Sequence, residues 1–93
     1  MDRKELLDKF YAYLTEKEGK SMPVARSYKA WLNGELEGRA DNRNKVCLVE
    51  VKKYFEEFVK TKIEGTPEEK KRRSNIKCVG RWFLKFLQEL SID

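Results

Sequence analysis

Apolar side chains recur along this chain at steps of three and four residues, in four stretches set apart by glycine, proline and polar turn formers. That period returns side chains to one face of a helix. Nowhere does the two-residue alternation of a half-buried strand replace it. The pattern therefore predicts an all-α fold.

The first stripe, Leu6, Leu7, Phe10, Tyr11 and Leu14, predicts a helix from about Asp2 to Glu18, stopped by Gly19. Ser21 is a good N-cap for the second, with Pro23 in the first turn, where a missing N–H is tolerated. Val24, Tyr28, Trp31, Leu32 and Leu36 make its apolar side, and Gly34 and Gly38 mark its end. Residues 38–45 are polar and form the longest loop. A third helix is expected from Val46 or Leu48 to Ile63, with Leu48, Val51, Tyr54, Phe55, Phe58 and Val59 inward and Gly65 ending it. The clearest start signal is Thr66-Pro67-Glu68-Glu69. Thr66 caps, Pro67 takes the first helical position, and Glu69 completes a capping box. From there a fourth helix can run unbroken to Leu90. With 93 residues, the expectation is one domain over residues 1–93, a compact four-helix bundle around one core. Gly80, in the middle of the fourth helix, points to a close approach of another helix, with a nucleic-acid backbone as the alternative.

Composition narrows the chemistry. The chain has no histidine, so it lacks the commonest general base and metal ligand. Cys47 and Cys78 stand far apart, which argues against a zinc site or a disulfide scaffold and for a reducing, cytoplasmic setting. No metal or cofactor is expected. No apolar run approaches the roughly 18–20 residues of a membrane span, and Met1-Asp2-Arg3-Lys4-Glu5 has no signal-peptide core. Glu56-Glu57 and Glu68-Glu69 read as helix surface and helix-cap acids rather than a catalytic pair. The expectation is a binder, not an enzyme.

Where the charge sits indicates what is bound. The net charge is +5, and residues 66–93 carry seven basic against four acidic side chains. Between residues 70 and 85 every charged side chain is positive. Arg73, Lys77, Arg81 and Lys85, at steps of four, form a stripe about 18 Å long opposite the apolar arc, with Lys70 and Ser74 beside it. Like charges at this spacing repel, and a polyanion laid along them would relieve the repulsion. Acidic residues of neighbouring helices could also neutralise them. Arg26, Lys29 and Asn33 repeat the design more weakly on the second helix. Its start, Ser21-Met22-Pro23 with Lys20, could hold a phosphate on free backbone N–H groups. Arg39, Arg43 and Lys45 are further loop candidates. The expected partner is double-stranded DNA. The alternative is a helical protein–protein interaction module anchored on Trp82; binding of single strands would require exposed aromatic rings.

Three stretches point to a family. Phe10-Tyr11-Ala12-Tyr13-Leu14, Gly19-Lys20-Ser21 and Ala25-Arg26-Ser27-Tyr28-Lys29-Ala30-Trp31-Leu32 together resemble the opening of the SAM-like core-binding domain of tyrosine recombinases, the phage-type integrases. Val49-Glu50-Val51-Lys52-Lys53-Tyr54-Phe55 is similar to the third helix of that domain, and Asn75 to Leu87 to its aromatic-rich last helix. The resemblance spans nearly the whole chain, with one departure: the family's frequent Thr three residues after the Ser is Val24 here. It implies a four-helix domain that clamps one side of duplex DNA for site-specific recombination, with Arg26, Lys29, Lys77 and Arg81 as contacts by position. It also implies a separate catalytic domain, whose linker would begin near Ser91-Ile92-Asp93.

Overall fold

Three of the four helices begin at a side-chain cap, and the third begins without one. The computed structural model describes residues 1–90; Ser91, Ile92 and Asp93, where the linker was expected, lie outside the described residues. Helix α1 (Arg3–Ala12) starts at Asp2, whose carboxylate accepts the Glu5 amide at 3.2 Å. It ends by widening into one π turn, Tyr13–Lys17, in which the Glu18 amide reaches Tyr13 O at 3.2 Å. Gly19 then steps to φ +66 and the Lys20 amide closes on Leu14 O at 2.9 Å. A residue with a Cβ would be strained in this left-handed step, which accounts for the glycine.

Helix α2 (Met22–Leu36) starts at Ser21, whose hydroxyl accepts the Val24 amide at 3.4 Å. A short 3₁₀ turn, Glu37–Arg39, leads into the loop. There the Asp41 carboxylate accepts the amides of Arg43 and Lys45, each at 2.9 Å. The start of the chain is tied to this loop: Val46 N donates to Met1 O and Arg3 N to Asn44 O, both at 2.9 Å. A single bridge between Asp2 and Lys45 is the only extended pairing among the described residues.

Helix α3 (Leu48–Lys60) is shorter than the sequence predicts, ending three residues before Ile63. At Thr61 the backbone turns extended (ψ 137), and the Thr61 hydroxyl takes up Glu57 O at 2.9 Å. Past that point only Ile63 is even half-buried, so no apolar face remains to hold a further helical turn in place. Helix α4 (Pro67–Glu89) is the longest, with Thr66 Oγ1 accepting the Glu69 amide at 3.3 Å.

One core joins all four helices. Phe10, Phe55 and Phe83 are wholly buried. The Phe83 ring of α4 stands edge-on to Phe10 of α1 at 5.7 Å and tilted against Phe55 of α3 at 5.3 Å. Such aromatic pairs add about 0.5–1.5 kcal/mol each to the burial of their area. Gly80 lies at the α3–α4 crossing, as its sequence position suggests; a Cβ there would stand 2.8 Å from Phe55 Cδ1. Val24 departs from expectation. It is exposed rather than inward, and buried Ala25 takes its place beneath the helix. The architecture is a compact four-helix all-α bundle with no sheet among the described residues, and no described helix is long and apolar enough to cross a membrane.

Candidate nucleic-acid interface

Contacts between helices sort the expected cations into distinct groups. Helices α2 and α4 run antiparallel: Tyr28 Oη meets Cys78 Sγ at 3.5 Å, while Lys20, just before α2, reaches Trp82 further along α4. Hydrogen bonding to Cys78 and burial together raise the Tyr28 phenol above its ordinary value, so it remains protonated.

The stripe of α4 divides along its length. Lys77 Nζ donates to Thr61 O at 3.0 Å and Arg73 Nη1 to Glu64 O at 3.2 Å. Both lean toward the exit of α3, and Lys77 satisfies the carbonyl of its C-cap residue, at the negative end of that helix. Arg81 is exposed and makes no ion pair among the described residues; Lys70 is likewise exposed. Among the described residues, Arg73, Lys77, Arg81 and Lys85 have no carboxylate within ion-pair distance, and the ion pairs are Lys9–Glu5, Lys29–Asp8 and Arg39–Glu35.

Lys85 and Lys20 converge on one indole. Their ammonium groups lie 4.7 Å and 4.2 Å from the centroid of the half-buried Trp82 ring. The two charges are therefore within about 9 Å of each other. They repel by roughly 0.5 kcal/mol in a water-like medium and about 2 kcal/mol at the dielectric near a protein surface. Cation–π attraction offers about 0.5–1 kcal/mol per lysine at exposed sites, so the cluster sits close to balance. An anion drawn to both ammonium groups would offset their repulsion.

The α2 residues are less uniform. Lys29 is committed to Asp8 of α1 at 2.8 Å, and its ammonium holds the Asp8 carboxyl below the ordinary value. That contact turns the Lys29 side of α2 toward α1, away from the side where Tyr28 meets α4. Arg26 is exposed and makes no ion pair among the described residues. The expected phosphate pocket at the start of α2 is smaller than the sequence suggests. Ser21 spends its hydroxyl on the Val24 amide and Pro23 has no N–H, leaving only the Ser21 and Met22 amides at that helix start. Met22 and Val24 present exposed apolar side chains there instead.

Of the loop candidates, Arg39 stacks on the Tyr54 ring at 3.7 Å and pairs with Glu35, while Arg43 and Lys45 are exposed. The signal missed at the sequence level is the projecting half of α4. Residues 67–74 are exposed all round, so Lys70, Lys71, Arg72 and Arg73, at 100° steps, encircle the helix instead of sharing one face. Arg72 and Lys71 face a groove of about 490 Å³ between this half and α2, floored by Ala30, Trp31 and Ile76. No group of three or more metal-ligating side chains occurs among the described residues. No family model matches the chain, and neither curated proteins nor solved structures yield a match.

Proposed function

We propose that this chain is a duplex-DNA-binding domain of the kind its sequence resembles, the SAM-like core-binding domain of a tyrosine recombinase. In this reading it holds DNA for site-specific recombination, and strand cleavage belongs to a separate catalytic domain. The observation that carries the proposal is the unneutralised stripe on α4, joined by Lys20 from the start of α2. Phosphate contacts supply most of the affinity of such a surface and make it depend steeply on salt. Arg81, Lys85, Lys70, Lys20 and Arg26 are the free donors; Arg73 and Lys77 can join by releasing backbone carbonyls.

The test is charge reversal at residues that carry no structural contact. Lys70→Glu with Arg81→Glu is expected to weaken duplex binding at least tenfold at low salt and to flatten its salt dependence, with the melting temperature unchanged. Equal affinity of the variant and the parent chain sinks the reading. A second reading, a module for a helical protein partner, draws on the groove beside Trp31. Sedimentation without nucleic acid separates the two: a monomer that forms complexes only when duplex is added counts against the partner.

A further inference from the structure

We propose that Trp82 is a positioning residue for a two-lysine phosphate clamp, in which Lys20 and Lys85 grip two nearby phosphates of one DNA strand. This inference rests on the duplex-binding reading above and adds the ligand group and the geometry. Lys20 precedes α2 and Lys85 lies near the end of α4, yet both ammonium groups are gathered over one ring, at 4.2 Å and 4.7 Å from its centroid. Two flexible lysines on separate helices would otherwise spread apart to lower their repulsion. The indole holds them together in advance, so less side-chain freedom is lost when an anion arrives. Their separation, at most about 9 Å, suits two neighbouring phosphates of one strand. The ring is half-buried, so it can hold this position without being a stacking platform for bases. Arg81 stands one turn before Lys85 on the exposed face of α4 and continues the track.

The clamp is tested with a mixed-sequence duplex by fluorescence anisotropy across a salt series, on the intact chain. Trp82→Leu keeps an apolar side chain but removes the π face; it is expected to weaken binding about three- to tenfold. Trp82→Phe, which restores a ring, is expected to recover most of the loss. The double variant Lys20→Ala/Lys85→Ala should lower the salt slope by about 2, as the loss of two phosphate contacts requires. Adding Trp82→Leu to that double variant should cost little more. Circular dichroism melts of every variant identify any loss due to misfolding, and Trp82→Phe carries the test if Trp82→Leu fails to fold. If Trp82→Leu folds and binds as the parent does while the lysine variant is weakened, the positioning role is overturned and duplex binding stands. If the lysine pair is silent but Arg81→Glu is not, the clamp is overturned and duplex binding again stands. No duplex binding by the parent chain overturns both. Sodium tripolyphosphate distinguishes the source of the phosphates. It is expected to compete only weakly; if it binds through Lys20 and Lys85 more tightly than duplex, the strand assignment is overturned.

Discussion

Replacing Gly80 by alanine tests how tightly α4 is seated on α3, and through that seat the direction in which the basic stripe faces. The new Cβ would stand 2.8 Å from Phe55 Cδ1 and 3.3 Å from Val59 Cγ1. Comfortable carbon–carbon contact begins near 3.5 Å, so the Phe55 ring must retreat by roughly 0.7 Å. It has little room to do so: Phe55 is wholly buried, with Phe83 at 5.3 Å on one side and Tyr54 at 5.0 Å on another. Overpacking of this kind costs about 1–3 kcal/mol, while alanine returns about 1 kcal/mol of helix propensity. The expected net loss is about 1 kcal/mol, or roughly 5 °C in melting temperature for a domain of this size. Gly34→Ala is the control, because Gly34 is helical and its Cβ would meet nothing within 4 Å. It is expected to raise the melting temperature by up to about 5 °C. In a Phe55→Leu background, Gly80→Ala should cost less, a coupling that a double-mutant cycle measures. The reasoning is refuted if thermal melts show Gly80→Ala stabilising the chain as Gly34→Ala does.

Other expectations follow from single contacts. Thr66→Ala removes the cap of α4 and should cost about 1 kcal/mol in a urea melt; an unchanged midpoint would mean that Pro67 alone sets the helix start. Lys77→Met keeps the stem over the bundle but releases Thr61 O, and should cost up to about 1 kcal/mol while speeding amide exchange near Thr61. Exchange unaltered there would show the contact to be idle. Asp41 should titrate below its ordinary value of 3.8, because the amides of Lys45 and Arg43 favour the ionised carboxylate. Its contribution to stability is then complete above that ordinary value and is lost as pH falls through the lower folded value. Carboxyl carbon shifts followed by NMR measure this, and a midpoint at or above 3.8 contradicts it.

What could be read in the sequence was local. Ser21, Thr66 and Gly19 act through hydrogen bonds within four or five residues of themselves, so residue type alone indicates the helix starts and the stop after α1. The apolar stripes gave much of the core, down to the buried Phe10 and Phe55. A helical wheel places residues only relative to their own helix, and there the reading fell short. It set Arg73, Lys77, Arg81 and Lys85 on one free stripe, but the exit of α3 supplies carbonyls to the first two. Lys29 looked like open surface until Asp8, twenty-one residues earlier, came alongside. The end of α3 was placed too late because Ile63 continues the apolar spacing, although Ile63 is only half-buried and Thr61, Lys62 and Glu64 around it are exposed. Trp82 read as an anchor for a protein partner, and only the fold brings Lys20 to it.

The central claim, that duplex DNA lies along α4 and the start of α2, is tested most directly by NMR titration of the intact chain with a short duplex at low salt. The amides of residues 20–26 and 77–85 are expected to shift first and furthest, with smaller changes near Lys70 and almost none on the outer face of α3. Shifts confined to α1 and α3, or no shifts at all, would contradict the claim.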